Sequence, residues 1–310
     1  MIETLPKGCY VALHIGTGPS RIEEAGGVRM IVTDQNKRFE LSDDLWIERL
    51  DEQLAKHIQS ACEPPHYNIE SFAYDRHLYS FIRRIPDVGM SDHEGIAEVY
   101  AAITLSRLVH PTSIGDRYCA KVFHFGLPDS AIQALVLKGR SNDVFLPNNW
   151  RNWLSVEDRE DLRKLMVWVP RSKPMHARVH RAYWNHECAM RTYDLDSRWS
   201  LVVSGFEALV NVGERNCAGQ FRARVLQLGR ECKIDLTEDE LRNAYKLRSK
   251  LVHAEAFLVG LESILPQSEH SGLYEKLEAV LRGTVLRCLL DEAFGNFFRD
   301  DAAVKARWPV

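Results

Sequence analysis

Apolar residues recur at helical spacing through most of the chain, and cluster in short runs rich in β-formers only in its first half. Leu45, Trp46, Leu50, Leu54 and Ile58 fall every few positions behind Ser42, whose hydroxyl can cap free backbone N–H groups, and Pro64 and Pro65 follow. The pattern predicts one amphipathic helix from Ser42 to the prolines. A second helix is predicted over residues 92–108, with Ile96, Val99, Tyr100, Ile103 and Leu105 inward and Pro111 beyond its end. A third follows Ser155 through Leu162, Leu165 and Met166 to Pro170. Residues 9–15, 28–33, 118–125 and 131–137 read as strands, the first two separated by a glycine-rich turn region and compatible with an antiparallel start.

At Pro170-Arg171-Ser172-Lys173-Pro174 two prolines flank polar residues between helical patterns, which suits a linker. Beyond it, residues 175–298 offer about five helical segments with short polar loops and little strand signal. The expected fold class is therefore α+β overall: a mixed α+β N-terminal domain over residues 1–170, and an all-α helical bundle over residues 171–310.

Length and composition narrow this further. The 310 residues suffice for two domains with their own cores, and 45% hydrophobic with 27% charged residues excludes disordered and fibrous classes. A net charge of -3 argues against a broadly basic nucleic-acid coat, so any RNA contact has to come from a local patch. The first residues lack a basic stretch followed by an apolar core, and no span reaches transmembrane length, so no membrane is expected. Seven widely spaced cysteines without a C-x-x-C pair fit buried, reduced thiols and a cytoplasmic location.

No cofactor is expected. Gly16-Thr17-Gly18 and Gly26-Gly27 lack the Walker lysine and the dinucleotide fingerprint. His176 and His180 share a helical face, but His186-Glu187 does not return to it and no fourth ligand follows, so these histidines read as solvent-exposed and no metal site is expected.

The chemistry concentrates in Tyr245-Lys246-Leu247-Arg248-Ser249-Lys250-Leu251-Val252-His253, where an arginine and a histidine stand with four residues between them. When a ribose 2'-hydroxyl attacks its neighbouring phosphate, a neutral imidazole can take the proton near pH 7, and a guanidinium can hold the charge that develops on phosphorus. His253 and Arg248 supply these roles, and Ser249, one turn before His253, can hydrogen-bond the phosphate or the imidazole. Arg224, Lys246 and Lys250, with Arg222, Arg230 and Arg242, form a candidate basic rim for RNA. The alternative is that Arg248 and His253 are ordinary surface residues, with Arg248 paired to an acid such as Glu240. Glu207 lies in the apolar run 201–210 and needs a partner; it either orients Arg248 or His253, forms a structural ion pair with Arg224, or is exposed. Five helical steps turn by about 140° and rise by about 7.5 Å. One straight helix therefore separates Arg248 from His253, and convergence requires a bend between them or a site shared with a symmetry mate.

The cluster R-S-K-L-V-H resembles the R-x4-H signature of the HEPN family, and the flanking segments resemble its Apea-like branch: RWSLVVSGFEALV at residues 198–210, QFRARVLQL at 220–228, and the closing helix expected over 273–298 with Arg299-Asp300-Asp301 behind it. The resemblance covers residues 171–310. It departs from the pattern at Ser249, where the family often places Asn, Asp or His. It implies a homodimeric, metal-independent endoribonuclease of defence or toxin type that leaves 2',3'-cyclic phosphate ends, with RNA as partner. Its alternative is a catalytically inactive HEPN module that binds RNA, a nucleotide or a protein, with the N-terminal domain as a sensor or an inhibitory protein as partner.

Overall fold

The computed structural model describes residues 8–17, 38–62, 75–86, 90–112, 118–125, 131–135, 154, 158–169, 175–213, 215–253 and 260–310. The chain is α+β, and its contacts divide it into two compact units, Met1–Leu146 with Trp150–Lys173, and Pro147–Asn149 with Pro174–Val310. The expected strand at residues 28–33, Pro64 and Pro65, Ser155 and the expected linker at residues 170–174 lie outside the described residues.

The first unit is built on β1 (Gly8–Thr17), β2 (Phe39–Ser42), β3 (Leu45–Glu48), β4 (Asp75–Arg84), β5 (Cys119–Phe123) and β6 (Ala131–Ala134), all antiparallel in the order β2-β3-β4-β1-β5-β6. Side chains alternate across the pleat. Cys9, Val11, Trp46, Ile82, Ala120 and Val122 therefore share one face, where Ala55 and Ile58 of helix α1 (Glu52–Cys62) join their core. The opposite face carries Tyr10, Leu45, Ile47 and Phe81 and is covered by helix α2 (Asp92–Val109). Ser91 and Glu94 close a reciprocal capping box at the start of α2. A short helix, α3 (Arg159–Leu165), continues into a 3-10 turn over Met166–Trp168.

The predicted helix from Ser42 is corrected. Ser42 ends β2, Leu45 and Trp46 lie in β3, and the helix begins only at Glu52. Leu45, Trp46 and Ile47 are all buried because β3 is covered on both faces, so the run does not alternate and mimics helical spacing. The helix expected after Ser155 starts near Asp158. β4 went unrecognised in the sequence although it pairs along the whole of β1; its apolar residues are interleaved with charges, including Arg83, which reaches Glu98 on α2 at 2.8 Å.

The second unit is helical: α4 (Ala177–Arg191), α5 (Leu195–Val210), α6 (Cys217–Glu231), α7 (Glu238–Val252), α8 (Gln267–Leu290), α9 (Glu292–Phe297) and α10 (Asp301–Arg307). Helix starts are set by local capping, Asp194 for α5 and Thr237 with Glu240 for α7. The closing helix expected over residues 273–298 is broken instead. α8 ends at Leu290, and Asp291, whose carboxylate accepts the Phe294 amide, starts α9. Asp300 likewise caps α10. Phe294, Phe297, Phe298 and Trp308 form one aromatic cluster at the end of the chain.

On α2, a Cβ at Gly95 would come within 1.9 Å of the Tyr10 ring, so the helix can lie this close to β1 only with glycine there. Gly95→Ala is expected to destabilise the first unit by about 1–3 kcal/mol through overpacking. Thermal and urea denaturation against the parent chain measure it, and an unchanged midpoint would contradict the packing described.

Candidate functional site

Helix α7 presents Leu241, Ala244 and Leu247 to the core and packs against α5 and α6. Its acidic first turn, Glu238, Asp239 and Glu240, and its basic last turn with Lys250 suit the helix dipole. Arg242 is engaged by these acids, to Asp239 at 2.5 Å and Glu238 at 3.7 Å, and Glu240 holds Lys276 at 2.7 Å.

Glu207 borders the apolar stripe of α5 formed by Val203, Phe206 and Val210 and faces α7. Its side chain is only 17% exposed, and α7 neutralises it: Arg248 Nη2 lies 2.8 Å from Glu207 Oε2. Of the partners the sequence allowed for Glu207, Arg248 is the one it takes. Tyr245 Oη donates to Glu207 Oε1 at 3.2 Å, and its ring stacks at a tilt on Phe221 of α6, 5.3 Å between centroids. Burial, then the Glu207 carboxylate, holds the Tyr245 phenol above its ordinary pKa. Arg248 Nε is buried with no acceptor in the chain, leaving a donor edge beyond the Glu207 contact. Tyr245 was not singled out from the sequence; the available signal was its position three residues before Arg248, on the same helical face.

Helix α7 runs unbroken through Val252, and His253 is its C-cap, with its amide bonded back to Ser249 O at 3.1 Å. No bend intervenes between Arg248 and the helix end, so the two side chains of one protomer point apart by about 140°. His253 and Lys246 are exposed, Val252 beside His253 is 51% exposed, and Ser249 and Lys250 are half-buried.

Arg224 is not on a basic rim. It is buried, and its guanidinium donates to Trp308 O at 3.0 Å, to Gln220 Oε1 at 2.6 Å and to Val210 O. Carbonyl acceptors from the ends of two segments took this arginine inward, and sequence spacing does not reveal such partners. The exposed reading of the histidines fails at His186, which is fully buried with Nε2 2.7 Å from Glu278 Oε1; Glu278 also receives Arg282 Nε at 3.1 Å. Glu187 is buried too and holds Arg191 at 2.8 Å, whereas His180 is exposed. Among the described residues no group of three or more His, Cys, Asp or Glu is placed to hold a metal ion, and no helix is long and apolar enough to cross a membrane. All seven cysteines are free; Cys9, Cys119 and Cys288 are buried and the others half-buried.

Comparison of the chain with family models, curated proteins and solved structures gives no match.

Arg224→Ala is expected to cost roughly 2–4 kcal/mol, because the carbonyls of Val210 and Trp308 stay buried without their donor. Calorimetric melting of the two chains checks it. Burial pushes the Glu278 carboxyl up, but the Arg282 guanidinium and the His186 hydrogen bond outweigh it, and its pKa falls below the ordinary 4.5. The unfolded chain then binds this proton more readily than the folded one. The stabilisation is complete above 4.5 and is lost as the pH falls through the depressed value. Glu278→Gln should flatten that acid limb in melting profiles between pH 3 and 6, and an unaltered limb would contradict the pairing.

Proposed function

We propose that this chain is a metal-independent endoribonuclease of the HEPN type, with His253 as general base and acid and Arg248 stabilising the pentacoordinate phosphate. The observation that carries the reading is the anchoring of Arg248. Glu207, with Tyr245 behind it, fixes one edge of the guanidinium while the Nε edge has no partner in the chain, so the cation is oriented before any phosphate arrives. His253, exposed at the helix end, is accessible to a ribose hydroxyl. Lys246 and Lys250 on the same helix supply phosphate attraction, and Ser249 a further hydroxyl. Such an enzyme belongs in a cytoplasmic defence or toxin setting.

An unbroken α7 makes a shared site the natural arrangement, each protomer of a homodimer giving Arg248 to one cleft and His253 to the other. The second reading, a HEPN module that binds RNA without cutting it, is favoured by the ion pair that already occupies Arg248.

His253→Ala should lower cleavage of a labelled single-stranded RNA at least about 100-fold with little change in melting temperature, since an exposed general base contributes rate and not packing. EDTA should leave the rate unchanged, because an imidazole and a guanidinium complete the chemistry. A His253→Ala chain as active as the parent would remove the catalytic assignment; RNA binding without cleavage, weakened by Arg248→Ala, would establish the second reading.

Mixing Arg248→Ala with His253→Ala chains tests the shared cleft. Half of randomly paired dimers are mixed, and each holds one intact composite site, so roughly a quarter of parental activity should return. Mixtures no more active than either variant alone would refute it, as would full activity in a monomer by analytical ultracentrifugation.

A further inference from the structure

In the second unit a cavity of about 340 Å³ opens where the end of α6 meets the middle of α8 and the short helix α9. Its wall is apolar, from Leu228, Ile234, Ala279 and Phe294, and its charged lining is Glu231, Arg282 and Arg287. Glu231 is claimed by two cations, Arg287 at 2.8 Å and Arg307 at 2.9 Å, while Arg282 shares Glu278 with the buried His186. Three guanidiniums therefore stand against two carboxylates, and positive charge is left over whatever the state of His186. Arg287 lies 3.9 Å from the centroid of Phe294, which fixes the plane of its donors.

Gly283, inside α8, keeps the space open. A Cβ there would sit 3.3 Å from Cys232 Sγ, and any larger side chain would grow into the cavity. Glycine within a helix costs about 1 kcal/mol relative to alanine, a cost borne here where the helix lines a void. The volume lies at the lower end of the range for small-molecule sites and is too small for a polymer.

We propose that this cavity binds a small organic anion, an oxyanion head group of phosphate or carboxylate on a compact aromatic body. The head group meets the donor edges of Arg287 and Arg282, and the body lies against Leu228, Ile234 and Phe294. This inference goes beyond the ribonuclease reading and stands without it, since none of these residues belongs to the Arg248 and His253 site.

Phenyl phosphate, benzoate and neutral phenol, titrated into the full chain by calorimetry, test it. At least one of the two anions is expected to saturate a single site and bind at least tenfold more tightly than phenol. Arg287→Ala and Ala279→Leu, which remove the head-group donor and fill the wall, should each raise its Kd tenfold or more. Alkylation of Cys232 by iodoacetamide, located by mass spectrometry in the parent chain, should slow when that anion saturates the site; this reading decides the matter if either variant fails to fold. Binding of neither anion, affinities indifferent to both variants, or unprotected Cys232 would overturn the proposal.

Discussion

Burying a guanidinium obliges a chain to bring acceptors to it, and the helical unit is organised around that demand at Arg224. The acceptors come from the end of α5, from Gln220 one turn away and from Trp308 near the end of the chain. Gln220 is committed in turn, its carbonyl oxygen taking the Val212 amide at 2.7 Å and its amide donating to Arg215 O at 2.7 Å. One cation thus ties the connection between α5 and α6 to the last aromatic residue. α7 packs on both helices, so the seating of α6 also determines where Arg248 meets Glu207.

A second constraint acts at the site itself. A carboxylate set beside the apolar stripe of α5 has to be neutralised, and only α7 faces it with both a phenol and a guanidinium. The pair stabilises the fold and orients the arginine, and these are one interaction seen from two sides. The same need for compensation appears at His186 with Glu278 and Arg282, where α4 and α8 are joined by charge as well as by packing.

The sequence was legible where structure is local. Helix α2 appears within a residue of its predicted limits because apolar spacing and the Ser91 box both lie within it. The helical character of the second unit was readable from periodicity for the same reason. Illegible were the features decided by distant partners. β3 looked helical because both faces of the sheet are covered, and β4 was hidden by charges whose neutralising residues come from other elements, as Glu98 does for Arg83. Arg224 and His186 bore the marks of surface residues; their acceptors lie up to 84 and 92 positions away in the chain. At the site, the sequence offered Arg248 as a partner for Glu207 among other possibilities, and gave no sign that Tyr245 completes the arrangement.

The position of β1 inside its sheet has a consequence for the order in which the protein takes shape. Cys9 is among the first described residues to leave the ribosome, yet its ladder partners are Arg84 on one side and Val122 on the other. The sheet cannot close until more than a hundred residues have been made, and until then β1 offers two unpaired edges of Cys, Tyr, Val and Leu to any other extended chain. The helical unit, whose starts are capped within a turn, faces no such delay. During synthesis the vulnerable interval belongs to the segment that emerges first, and chaperone dependence should be concentrated there.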